Sequence, residues 1–182
     1  MNKQDVITFF DHYASTWDAD MIRNESVINT ILDNGGVTTD CTVLDVACGT
    51  GVLFPDYLQR NVKSVTAVDI SPEMARIAAS KYPDSPIEVI CGDIETLSLE
   101  QKFDCCMVYN AFPHFPDPKR LITVLSSHLK PDGILSIAHG MSRERINRHH
   151  EGRASKVSMG LLSEQELSNI FAQYLEVTTV IS

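Results

Sequence analysis

The 182-residue sequence contains no long apolar run, and no stretch approaches the ~20 apolar residues that a membrane-spanning helix requires. Its opening residues, MNKQDVITFF, are too polar for the apolar centre of a signal peptide. Basic residues are also scarce, because 15 Lys and Arg stand against 24 Asp and Glu and give a net charge of −9 at pH 7. Nucleic-acid-binding proteins need a basic surface that displaces counterions, so this balance argues against that class. We therefore expect a cytoplasmic protein with no membrane span and no nucleic-acid partner.

The cysteines lack the C-x-x-C spacing of many metal and redox sites. Four of the five lie in or beside strand-like segments; the five are Cys41, Cys48, Cys91, Cys105 and Cys106. We expect buried free thiols in a reducing compartment and no metal site. The chain length fits one domain, and a hydrophobic content of 43% is enough for a core.

The stretch VLDVACGTG, residues 43–51, predicts a buried strand followed by a glycine turn and a helix. This unit opens nucleotide-binding α/β sheets. Phe54 occupies the position of the third glycine of a dinucleotide fingerprint, and Asp45 would repel a pyrophosphate. A ligand with a cationic amino-acid end suits Asp45 better.

Four later apolar segments predict further strands, and a chemically distinctive residue follows each of them: Asp69, Asp93, Asn110 and His139. The carboxyl ends of parallel strands meet at one edge of an open α/β sheet, where ligands bind. Asp69, 18 residues beyond Gly51, is placed to accept hydrogen bonds from ribose hydroxyls.

Helical periodicity and end signals predict the intervening elements. We expect helices at about residues 3–17, 21–34, 51–60, 117–129 and 163–174, with another that begins at Ser71-Pro72-Glu73. Lys130 to Gly133 predicts a turn before the fifth strand, and Ser163 with Glu166 predicts a capping box. The last residues, LEVTTVIS, predict a sixth strand.

These motifs together resemble class I S-adenosylmethionine (SAM)-dependent methyltransferases of the ubiquinone/menaquinone-biosynthesis-type, methyltransferase-11-like branch. Besides VLDVACGTG, the segment FFDHYASTWD is similar to the N-terminal lid of that branch. The resemblance implies one Rossmann-like, doubly wound, mostly parallel α/β domain over residues 1–182. Within it we expect a lid at 1–36, a SAM-binding core at 37–140 and a substrate-cap segment at 141–182. The family's seventh, antiparallel strand has no counterpart in this sequence.

The resemblance also implies the cofactor, SAM, its product, S-adenosylhomocysteine (SAH), and the residues that contact them. Ile70 and Met74 would form the apolar wall against adenine, although both could instead be ordinary core residues. Asp93 would accept a hydrogen bond from the adenine amino group, and the Ile94 N–H would donate one to a ring nitrogen of adenine. The full set of implied cofactor contacts is Tyr13, Trp17, Asp45, Ala47, Gly49, Gly51, Asp69, Ile70, Met74, Asp93, Ile94 and Asn110.

The methyl group of SAM is already activated, so positioning of the acceptor can supply ~7–11 kcal/mol of barrier reduction without an indispensable base. If the acceptor must lose a proton, His114 and His139 are the candidate bases, and Asn110 is a candidate acceptor contact. Each histidine could instead be a packing residue. No metal is expected.

Five basic residues lie within 14 positions after the fifth strand: Arg143, Arg145, Arg148, Arg153 and Lys156. Guanidinium groups pair well with carboxylates and phosphates, which predicts an anionic or otherwise polar small-molecule acceptor. They could instead form surface ion pairs with Glu144 and Glu151, worth only ~0–1 kcal/mol each. We expect a monomer or homodimer. A SAM-binding partner subunit without transferase activity and a nicotinamide-dependent oxidoreductase or epimerase are the alternatives.

Overall fold

The computed structural model describes residues 1–150 and 154–181, and a sheet of five strands forms its centre. The strands are β1 (Thr42–Val46), β2 (Ser64–Asp69), β3 (Ile87–Cys91), β4 (Phe103–Tyr109) and β5 (Leu129–Ala138). They lie in the order β3-β2-β1-β4-β5, and every neighbouring pair is parallel. The order reverses between β1 and β4, which is where open α/β sheets bind ligands.

Helices cover both faces of this sheet. They are α1 (Lys3–Tyr13), α2 (Glu25–Asn34), α3 (Phe54–Gln59), α4 (Pro72–Lys81), α5 (Pro118–Ser127), α6 (Arg143–His150) and α7 (Glu164–Phe171), with 3-10 helices at Ala14–Asp20 and Phe112–His114. Alternating residues of β1 divide the core: Val43 packs with α2 and α3, whereas Leu44 packs with α5. The predicted Rossmann-like, doubly wound class is confirmed.

Local sequence signals set where several helices begin. Ser71 Oγ accepts a hydrogen bond from the Met74 N–H, and Pro72 fills the first helical position of α4. Ser163 and Glu166 form the predicted capping box of α7. The N-terminal helix is shorter than predicted, because the chain tightens into a 3-10 helix after Tyr13.

The predicted turn at residues 130–133 lies inside β5 rather than before it. The register changes from Phe103 opposite Leu129 to Cys105 opposite Ile134, so the extra residues form a bulge. Within the bulge, the Lys130 Nζ lies 2.8 Å from the carboxylate of Asp104 on β4.

The prediction of a sixth strand is wrong for the residues that the structure describes, because 175–181 have no regular secondary structure. Their alternating pattern suits a strand, but a strand forms only where a neighbour pairs with it. Here Val180 and Ile181 remain 51% and 68% exposed. None of the helices in the described ranges is long and apolar enough to cross a membrane.

Candidate active site

A cavity of about 700 Å³ opens at the carboxyl ends of β1, β2 and β4. Its volume lies within the ~300–1,000 Å³ typical of small-molecule sites. Most of the residues predicted for the site contribute to its wall: Tyr13, Trp17, Ala47, Gly49, Asp69, Ile70, Met74, Asp93, Ile94, Asn110 and His114. Asp45, Gly51 and His139 do not line it.

The two glycines of the turn after β1 have different roles. Gly49 has φ +56°, and a Cβ placed on it would have no neighbour within 4 Å, so this side of the turn is open to a ligand. Gly51 has φ +85°, and a Cβ there would lie 2.5 Å from the ring of Phe54. Gly51 therefore shapes the turn and admits the Phe54 side chain.

Asp69 connects the end of β2 to the glycine turn. Its Oδ2 accepts a hydrogen bond of 2.8 Å from the Gly49 N–H, and its Oδ1 accepts one of 2.8 Å from the Ser71 N–H. Burial raises the pKa of Asp69, and the two backbone donors oppose that rise. A carboxylate offers about four lone-pair positions, so both oxygens can accept further hydrogen bonds from the cavity side.

Asp45 lies in β1 just before the turn and is only 2% exposed. Burial raises its pKa to about 7; the Tyr57 hydroxyl works against this rise, and the charge of Asp69 adds to it. Ala47 and Gly49 line the cavity and Asp45 does not, so the predicted contact between Asp45 and a bound cofactor stays a prediction.

The N-terminal segment, residues 3–20, packs over the cavity through aromatic contacts. Tyr13 and Trp17, which are predicted cofactor contacts, lie in the wall. The ring of Phe10 contacts Trp17 edge-on at 5.4 Å between centroids and His114 at 5.0 Å. The segment therefore meets the end of β4 across the cavity mouth.

In the described part of the chain, three side chains of this segment make polar contacts with the rest of the fold, and no sequence motif predicted them. The Lys3 ammonium pairs with the carboxylates of Asp93 and Glu95. The Asp11 carboxylate accepts hydrogen bonds from the Ser71 hydroxyl and the Glu73 N–H.

The third contact involves Asp18. Its carboxylate accepts a hydrogen bond of 2.5 Å from the Thr50 hydroxyl and pairs with Lys81 at 2.6 Å. The N-terminal segment is thus attached at both ends, to the loop after β3 by Lys3 and to the glycine turn and α4 by Asp18.

His114 and Asn110 follow β4 and lie on the other side of the cavity. The His114 Nδ1 lies 2.6 Å from the Val157 carbonyl, and since a carbonyl can only accept, Nδ1 carries the proton. Burial lowers the pKa of His114, so the ring is neutral at pH 7. The Asn110 Oδ1 accepts a hydrogen bond of 2.8 Å from the Gly140 N–H, which ties the end of β4 to the end of β5.

Of the basic segment, only Arg145 contributes to the described wall of the cavity. Arg143 lies 3.8 Å from Glu144, as expected of a surface pair. Arg148 and Lys156 are exposed elsewhere, and Arg153 lies outside the described residues.

Several wall residues were not predicted. Met21, Ile22 and Met141 are apolar and line the mouth, although Ile22 is 89% exposed. The sequence predicts a helix from about residue 21, but α2 begins at Glu25. Residues 21–24 therefore form a connecting segment, which contributes to the cavity wall. The only usable signal in the sequence was Asn24, which caps α2.

Comparison with known proteins places this geometry in a family. Residues 44–137, slightly more than half of the chain, match the family described as a methyltransferase domain. A malonyl-[acyl-carrier protein] O-methyltransferase of Priestia megaterium is 28% identical over 184 aligned positions, which cover 99% of this chain and 67% of that protein. A ubiquinone biosynthesis O-methyltransferase of Xanthomonas campestris pv. campestris is 35% identical over 100 residues, which cover 53% of this chain and 41% of that protein.

A solved complex of the Haloferax volcanii Trm112 methyltransferase activator with a methyltransferase shares the fold. The TM-score is 0.70 at 19% identity, over 90% of this chain and 74% of the matched one. The chain spans 67% and 41% of the length of the two curated relatives. The family match runs from β1 to β5 and includes the glycine turn, Asp69 and Asp93. This chain therefore belongs to the methyltransferase domain family, and the predicted resemblance to class I SAM-dependent methyltransferases is confirmed.

Proposed function

We propose that this chain transfers a methyl group from SAM to a small-molecule acceptor bound in the cavity at the carboxyl edge of the sheet. The observation that carries the proposal is Asp69, a buried carboxylate that holds the glycine turn by one oxygen and lines the cavity. Family membership supports the reaction, and the acceptor is addressed below.

The residues of the wall fit the three parts of SAM. Asp69 would accept hydrogen bonds from the ribose hydroxyls. Ile70, Met74 and Ile94 would enclose the adenine, with Asp93 beside its amino group. The open side of Gly49 would admit the methionine part, and SAM would supply a methyl group already activated by its sulfonium.

His114 is the base that this arrangement supports for an acceptor that loses a proton. Because Nδ1 carries the hydrogen towards Val157, the basic nitrogen of the neutral ring is Nε2. His139 does not line the cavity, so it is not favoured. Replacing His114 would slow methyl transfer to acceptors that must lose a proton, and it would leave transfer to acceptors that are already anionic unchanged.

Calorimetry with SAM, SAH and nicotinamide dinucleotides tests the proposal. We expect both SAM and SAH to bind and the dinucleotides not to bind. A His114→Gln variant should bind SAH normally and turn over a phenolic acceptor ~10²–10⁴-fold more slowly. Binding of the nicotinamide dinucleotide without binding of SAH would overturn the proposal. SAH binding with no transfer to any acceptor would instead favour a non-catalytic partner subunit.

A further inference from the structure

Among the residues that the structure describes, the cavity wall combines exposed apolar side chains with one cation, Arg145, that has no ion-pair partner. The apolar collar, as we call this apolar group, consists of Trp17, Met21, Ile22 and Met141. Ile22 is 89% exposed, Met141 44% and Trp17 36%. Exposed apolar residues are ordinary when scattered, but a cluster at the entrance of a cavity marks a binding surface.

The charged groups of the wall limit the class of ligand that can bind there. Asp69 is held by backbone donors, and Lys3 and Asp93 pair with one another. Arg145, on the first turn of α6, forms no ion pair with any residue in the described parts of the chain. A guanidinium beside apolar walls suits a carboxylate or another compact anion.

We propose that the methyl acceptor is an amphipathic acid, whose apolar chain or ring contacts the collar and whose anionic group pairs with Arg145. This inference rests on the proposed function, because it assigns the part of the cavity that SAM leaves open. Phe115 and Pro116, which follow His114 in the chain, add further apolar surface to the cavity wall. A polar acceptor such as a free sugar or amino acid would leave these surfaces unmatched.

Saturated carboxylates of increasing length are the probes. Hexanoate, octanoate and decanoate are titrated by calorimetry into the protein saturated with SAH, alongside decanol and decylammonium. We expect affinity to rise about fourfold per added methylene until the collar is filled. Decanoate should bind more tightly than decanol, and decylammonium should bind most weakly.

Two variants separate the charge from the collar. Arg145→Met removes the charge but keeps an unbranched side chain, and it should weaken decanoate binding at least tenfold while leaving decanol binding unchanged. Arg148→Met, on an exposed residue outside the cavity wall, should change neither affinity. Ile22→Ser should reduce the gain per methylene, whereas Ile181→Ser, a change at an exposed residue outside the wall, should not.

SAH affinity, measured in every protein, keeps the two proposals distinguishable. Normal SAH binding with equal decanoate affinity in wild type and Arg145→Met would overturn the amphipathic acid and leave the methyltransferase function intact. Equal affinities for hexanoate, octanoate and decanoate would also overturn the amphipathic acid. Loss of SAH binding in the wild type would overturn the proposed function itself.

Discussion

Replacing Asp69 by Ala removes an acceptor that serves the fold and, on our proposal, the cofactor. A hydrogen bond to a charged group contributes ~1.5–3 kcal/mol, so loss of the ribose contacts should weaken SAH binding roughly 10- to 150-fold. The same change leaves the N–H groups of Gly49 and Ser71 without their acceptor. An unsatisfied donor costs ~1–3 kcal/mol, and because the cavity admits water, we expect the free energy of unfolding to fall by about 1–2 kcal/mol.

Asp104→Ala is the matched control. Asp104 also accepts a 2.8 Å hydrogen bond from a backbone N–H, that of Thr42, and a second bond from Lys130, but it lies near the amino end of β4, away from the cavity. We expect this variant to lose stability without losing SAH affinity. Calorimetry with SAH and urea unfolding of the ligand-free proteins measure the two effects separately. Unchanged SAH affinity in Asp69→Ala, or an equal loss in Asp104→Ala, would refute the role of Asp69 in binding.

Two further predictions concern Asp45 and the N-terminal segment. Burial raises the folded-state pKa of Asp45 to about 7 from an ordinary 3.8, so the folded protein binds an extra proton and its unfolding free energy should fall as the pH rises from about 4 to 7. Asp45→Asn should remove that fall, which urea unfolding of the variant and the wild type at pH 5 and pH 8 measures. An equal change of unfolding free energy between the two pH values in both proteins would contradict this. Lys3→Met breaks the ion pairs with Asp93 and Glu95, so amide hydrogens of residues 3–20 should exchange faster in the ligand-free variant, and SAH should restore protection. Equal exchange in the variant and the wild type would show that Lys3 does not hold the segment.

The strands and the edge where the site lies could be predicted because they depend on local patterns. Strands β1 to β4 lie in the predicted apolar runs, whereas β5 begins before the predicted turn. The group predicted to mark each strand end is the last residue of β2 and lies within three residues after the end of each of the others. The helix at α4 was equally clear, since Ser71 and Pro72 specify its first turn without help from distant residues.

The failures concern interactions between distant parts of the chain. The alternation in residues 175–181 favours a strand, but pairing depends on a neighbour that a local pattern cannot show. No sequence motif marks Lys3 as a contact residue, because its partner Asp93 lies 90 residues away in the chain. The sequence predicts that Asp45 contacts the ligand, and a local pattern could not show that Asp45 is 2% exposed and outside the cavity wall, so that contact stays a prediction.

The backbone at the reversal of the sheet explains why the cavity opens there. Ala47 after β1 and Asn110 after β4 both have φ +55°, a left-handed conformation that costs an alanine ~1–2 kcal/mol and an asparagine less. Neighbouring strands hold both residues, through the bond from the Cys48 N–H to Val68 and the bond from the Asn110 N–H to Ala138. These left-handed residues turn the chain away from the sheet on the two adjacent strands, and both lie in the cavity wall. Local strain of this kind persists where the surrounding structure imposes it, and here it falls at the two strand ends that border the site.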